Sequence, residues 1–160
     1  MRNGQRESEQ QQFIEAVGLS FEQAGLPRMA GRILGWLLIC DPPHQSPGEL
    51  AEVLQASKGS ISSMTRLLEQ IGLIERLSLP GERRDYFRIR SESWTALFKR
   101  RMELVSNFRQ LADRGLELLS EHTPEQRRRL EEMRNMYAFF EYEVPRLLER
   151  WEQERRSQSE

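Results

Sequence analysis

Apolar residues recur at helical spacing over most of this chain and alternate in strand fashion over one short middle stretch. Phe13, Ala16, Val17, Phe21 and Ala24 predict an amphipathic helix over about residues 5–24, ended by Gly25. Pro27 suits the first turn of a second helix, PRMAGRILGWLLICD, whose nearly all-round apolar character from Ile33 to Cys40 implies burial. The following PPHQ stops it and makes a turn.

In SPGELAEVL, Ser46 stands at an N-cap, Pro47 at the first helical position and Glu49 three residues after the serine, the signature of a capping box. A short third helix is expected there. Ser57 is a second N-cap, opening a fourth helix at Lys58 that runs to Gly72, a C-terminal stop. LIERLSL and YFRIR then read as strands around a polar turn, PGERRD, which makes a β-hairpin with a basic tip.

From about Glu92 two long helices remain. Trp94, Leu97, Phe98, Val105, Phe108, Ala112 and Leu119 trace the stripe of the first. In the second, Leu130, Met133, Tyr137, Phe140, Val144, Leu147 and Trp151 recur at alternating steps of three and four, the seam of a helix that wants a partner helix. Thr123, Pro124 and Gln126 mark its start, and Pro145 is expected to kink it or end it early. The predicted fold is mainly α: a winged helix-turn-helix with a β-hairpin wing and long N- and C-terminal dimerisation helices. Residues 1–24 and 92–160 supply those helices, residues 25–91 form the winged region, and at 160 residues the whole is expected to be one compact domain.

The fourth helix poses a question of composition. Ile61, Met64, Leu67, Leu68 and Ile71 share one side, but Gly59, Ser62, Ser63 and Arg66, at i, i+3, i+4 and i+7, share another. Glycine and serine cost helix stability, and a merely solvated face is ordinarily built from Glu, Lys and Gln. A face emptied of bulk suits a helix pressed into a DNA major groove, where hydroxyls reach phosphates or base edges. Ser57, Lys58, Gly59, Ser60, Ser62, Ser63 and Arg66 are therefore the candidate DNA-binding residues of this helix. Arg66 has the planar fork that engages guanine O6 and N7 together, and Lys58 suits a phosphate. Arg83 and Arg84 join them at the hairpin tip, where a wing reaches the adjoining minor groove or its phosphates. A competing reading pairs these two arginines with Glu82 and Asp85 in solvent.

Charge supports the division. The chain as a whole carries −1, yet residues 57–90 hold seven cations against four anions, so the excess of positive charge is concentrated in this region. The single cysteine, Cys40, excludes an internal disulfide and reads as a buried small hydrophobe, with a redox thiol as the lesser alternative. His44 and His122 read as surface residues. There is no phosphate-cradling glycine loop, nucleophile elbow or His/carboxylate cluster of metal-site spacing, so neither an enzyme nor a cofactor is expected. No apolar run reaches the ~20 residues of a membrane span and no export signal opens the chain, which makes the cytoplasm the expected location. Winged folds also serve as protein-interaction modules that never touch DNA, and this is the alternative function.

The stretches PRMAGRILGWLLICDPP, SPGELAEVLQASKGSISSMTRLLEQIGLIER and PGERRDYFRI resemble the GbsR-type branch of the MarR family of bacterial transcriptional regulators. The likeness covers residues 25–90, with SKGSIS and GERRDY its sharpest segments, and extends to the flanking helices in kind. It implies a homodimer, joined through its terminal helices, that binds double-stranded DNA at an inverted-repeat operator and acts as a repressor. It also implies a recognition helix at Ser57 to Ile71, a wing tipped by Arg83 and Arg84, and release by a small-molecule effector in some members. No ligand residue is carried over. Trp36, Trp94, Phe98, Tyr137, Phe139, Phe140, Tyr142 and Trp151 are the aromatic residues from which a pocket for a choline-type effector would be drawn, although core and dimer packing account for most of them.

Overall fold

The computed structural model describes residues 2–119, 121 and 123–157. The elements run α1 (Arg2–Gln23), α2 (Arg28–Ile39), α3 (Pro47–Val53), α4 (Lys58–Ile71), β1 (Ile74–Ser78), β2 (Asp85–Ile89), α5 (Ser93–Leu118) and α6 (Pro124–Ser157). By their contacts they form two compact units, Met1–Trp94 and Thr95–Glu160.

In the first unit α2 touches α1, α4 and β2, as its all-round apolar surface requires. Ile33, Leu34, Leu50, Leu54, Ile61, Leu68 and Ile74 are fully or almost fully buried, each worth ~1.5–3 kcal/mol relative to exposure. The buried side of α1 departs from expectation. Ile14 and Gly18 are buried with Val17 and Phe21 half-buried, whereas Phe13, Ala16 and Ala24 face outward. The cause lies in α2, whose Gly31 admits α1 so closely that a Cβ there would stand 2.7 Å from the Val17 carbonyl oxygen and 2.8 Å from Phe21 Cβ. That contact selects which side of α1 turns inward.

The helix caps formed as their residue types dictate. Ser46 Oγ accepts from the Glu49 N–H at 3.3 Å and the Glu49 carboxylate accepts from the Ser46 N–H at 2.7 Å, which closes the capping box. Ser57 Oγ accepts from the Ser60 N–H at 3.1 Å. Gly72, at φ 86°, ends α4 in the left-handed conformation, and the Leu73 N–H reaches back to the Leu68 carbonyl, turning the chain into β1. The strands pair antiparallel with Arg76 opposite Phe87 and Glu75 opposite Arg88.

The loop before α3 is more than a turn, because Gln45 forms a β-bridge with Phe87. His44, expected at the surface, is half-buried with its ring edge-on to Tyr86 at 5.3 Å. His122 lies outside the described residues. Cys40 is buried as expected, and burial pushes its thiol pKa up, which disfavours the thiolate that redox chemistry needs.

In the second unit α5 and α6 pair in opposite directions. Gly115 abuts Leu130, Phe108 stacks on Tyr137 at 5.2 Å, and Lys99 pairs with Glu152 at 2.9 Å. Gln126 Oε1 accepts from the Thr123 N–H at 3.1 Å at the start of α6. Pro145 does not end this helix, which continues to Ser157. Ties to α5 stand on both sides of the proline: Ser106 and Arg109 with Glu141 before it, Lys99 with Glu152 after it. This packing holds the segment helical against the ~3 kcal/mol that an interior proline costs.

Candidate nucleic-acid interface

The local chemistry of α4 separates its two sides. Ile61 and Leu68 are fully buried, and Thr65 turns inward, its Oγ1 donating to the Ile61 carbonyl at 2.8 Å. Gly59, Ser62, Ser63 and Arg66 are all exposed, as are Ser57 and Lys58, while Ser60 is half-buried. Ser57 is committed to capping. At Gly59 a Cβ would meet nothing nearer than Ser57 Oγ at 4.0 Å, so no contact within the chain demands the glycine.

The exposed side of α4 adjoins the hairpin. Ser62, Thr65 and Arg66 share a cavity of about 260 Å³ with Pro47, Arg76, Asp85 and Phe87. Arg83 and Arg84 are exposed in the loop between the strands, where Gly81 takes φ 82° after Pro80 and the Glu82 N–H returns to the Leu79 carbonyl at 3.1 Å, a tight turn.

Charge within residues 57–90 sorts cleanly. Glu75 pairs with Arg88 at 2.7 Å, and Glu69 and Asp85 both pair with Arg76, at 3.4 and 3.1 Å. Glu82 acts electrostatically on Tyr86, whose hydroxyl pKa is raised first by desolvation and then by that carboxylate. The competing reading, in which Arg83 and Arg84 pair with Glu82 and Asp85, is therefore not what the structure contains. Strand geometry decides this, since Asp85 sits on the same face of the hairpin as Arg76, diagonal to it across the register. Lys58, Arg66, Arg83, Arg84 and Arg90 take part in no ion pair among the described residues, although Arg84 acts electrostatically on Glu49. Sequence reasoning missed the contacts of Arg76 with Glu69 and Asp85 and of Gln45 with Phe87 and Trp36; nothing local distinguishes Arg76 from the other arginines of the region.

Several of the aromatic residues have partners within their own unit. Tyr137 is stacked on Phe108, Phe139 meets Phe140 edge-on at 5.9 Å, and the Arg146 guanidinium lies 3.6 Å from the Tyr142 ring centre. Trp36 donates its indole N–H to Gln45 Oε1 at 3.2 Å. No group of three or more metal-ligating side chains occurs among the described residues, and no helix among them is long and apolar enough to cross a membrane.

The profile of MmpR5-like MarR family transcriptional regulators matches residues 92–154, and that of the MarR family matches residues 24–85. Over 142 residues, 89% of this chain and 86% of the relative, the sequence is 46% identical to the HTH-type transcriptional regulator MmpR5 of Mycobacterium tuberculosis. The chain belongs to the MarR family. A crystal structure of a transcriptional regulator, 45% identical, has the same fold with a TM-score of 0.74 over 91% of this chain and 99% of that one. This MarR-family protein is thus a DNA-binding transcriptional regulator of the MmpR5-like kind, built on a winged helix-turn-helix. Its relatives are regulators and not enzymes.

Proposed function

We propose that this regulator holds its operator with one surface made of the exposed side of α4 and the loop between β1 and β2. Ser57, Lys58, Gly59, Ser60, Ser62, Ser63 and Arg66 line the major groove, Arg66 reads a guanine, Lys58 meets a phosphate, and Arg83 with Arg84 engages the minor groove or its backbone. One observation carries this reading. The carboxylates of residues 57–90 act on Arg76, Arg88 and Tyr86, and of the five cations there with no ion pair among the described residues, four, Lys58, Arg66, Arg83 and Arg84, lie on α4 or at the wing tip, with Arg90 following β2.

The protein acts as a homodimer through α1 and the two long helices. The apolar side chains left exposed support this: Phe13 and Leu19 on α1, Phe98, Leu104 and Leu111 on α5, and Met136, Phe139, Leu147 and Trp151 on α6. Two-fold symmetry then sets an inverted-repeat operator with half-sites about one turn, ~34 Å, apart. Repression from the cytoplasm, with release by a small-molecule effector, completes the reading. The narrower GbsR-type placement rests on the stretches of residues 25–90 and carries a choline-type effector with it. Calorimetry with choline and betaine at millimolar concentration tests the choline-type effector, and absence of heat removes it.

The main test is selection of bound sequences from a random duplex library, followed by mobility shifts at two salt concentrations. An enriched inverted repeat whose binding weakens steeply with salt is expected. Recovery of no enriched sequence would refute the proposal.

A further inference from the structure

Resting on the interface proposed above, we propose that Arg76 is a positioning residue for operator binding: it ties the wing to the recognition helix and does not itself touch DNA. Arg76 lies on β1 with its guanidinium 5.4 Å from the centre of the Phe87 ring. From there Nη2 reaches Glu69 of α4 at 3.4 Å and Nη1 reaches Asp85, the first residue of β2, at 3.1 Å. A planar fork is suited to two acceptors at fixed directions, which a lysine ammonium could not span as well. Its charge is thereby answered by two carboxylates, so it is a poor seat for a phosphate. What it does instead is mechanical. Asp85 directly follows Arg83 and Arg84, so the tie sets where the wing tip stands relative to Arg66 on α4.

The partners make the inference sharp. Glu69 and Asp85 are anions at the edge of a surface that meets a polyanion. By charge alone, removing either should strengthen DNA binding. If they serve the tie, removing either should weaken it.

The test uses the full-length protein and its selected operator, with binding followed by fluorescence anisotropy across a salt series. Asp85→Asn and Glu69→Gln are each expected to weaken operator binding even though each removes a negative charge. Arg76→Met, which keeps the stem over Phe87, is expected to weaken it about tenfold. In an Arg83→Ala/Arg84→Ala background, Arg76→Met should cost nothing further, because the contacts it positions are already gone. Stronger binding by either acid variant would overturn the proposal. So would a salt slope shallower by ~0.9 or more when Arg76→Met is added to the Arg83→Ala/Arg84→Ala protein, the mark of a phosphate that Arg76 itself neutralises, or an equal cost in that background. Should Arg66→Ala and Arg83→Ala leave operator binding intact, the interface itself is misplaced; should they weaken it while the Arg76, Glu69 and Asp85 variants do not, only the tie is refuted.

Discussion

Gln45 and Phe87 exchange both of their main-chain hydrogen bonds, N–H to carbonyl, at 2.9 and 2.8 Å. The loop ahead of α3 is thereby a third rung on the hairpin, and the base of the wing is tied to the start of the helix-turn-helix. The same residue accepts the indole N–H of Trp36, which joins α2 to that rung.

Replacing Gln45 with Met keeps the main-chain rung but leaves the Trp36 N–H without its acceptor. A loss of ~1–3 kcal/mol is expected in urea unfolding. An unchanged midpoint would show that the indole finds another partner.

Two glycines on helices should respond oppositely. Gly31→Ala places a methyl 2.7 Å from the Val17 carbonyl oxygen and 2.8 Å from the Gly18 Cα, so α1 and α2 must part, at a cost of ~1–3 kcal/mol. Gly59→Ala meets open space and should raise stability by up to ~1 kcal/mol while lowering operator affinity. Thermal melts paired with DNA titrations check both. A Gly59→Ala protein that binds its operator as tightly as wild type would remove the steric argument for the emptied face.

Arg66→Ala should relax preference at one base position per half-site, at ~1–3 kcal/mol of discrimination. Lys58→Ala should weaken binding to every sequence and reduce the salt slope by ~0.9 for each phosphate no longer neutralised. Identical base-substitution profiles for wild type and Arg66→Ala would refute the readout assigned to that arginine.

Acid stability should depend on the α3 cap. The Ser46 main-chain N–H, then the Ser46 side chain, holds the Glu49 carboxyl below its ordinary value of 4.5. A carboxyl depressed in the folded state contributes stability that is present above 4.5 and lost as pH falls through its folded value. Denaturant midpoints measured downward from pH ~6 should therefore fall less steeply below about 4.5 in Glu49→Gln than in wild type. Parallel acid limbs would show that the cap is not the group that titrates.

The elements of the fold were legible wherever the deciding contacts are near in sequence. Ser46 with Glu49, Ser57 with Ser60 and Gly72 with Leu68 all act within a turn of helix, so residue type and spacing sufficed. The exposed side of α4 was legible for the same reason, since a helical period places Gly59, Ser62, Ser63 and Arg66 together. The partners of the charged residues were not. Asp85 has Arg83 and Arg84 beside it in the chain yet pairs with Arg76, nine residues away, because strand register brings those two together.

By itself, then, the sequence determined where α3 and α4 begin and where α4 ends, which stretch makes the hairpin and which face of α4 is stripped of bulk, since each depends on local hydrogen bonds and periodicity. Tertiary structure decided which side of α1 is buried, that α6 runs on through Pro145, that Gln45 pairs with Phe87, and which arginines remain without ion-pair partners. These depend on the close approach of α2 at Gly31, on packing against α5 and on strand register, all of them meetings between residues that no short window of sequence holds together.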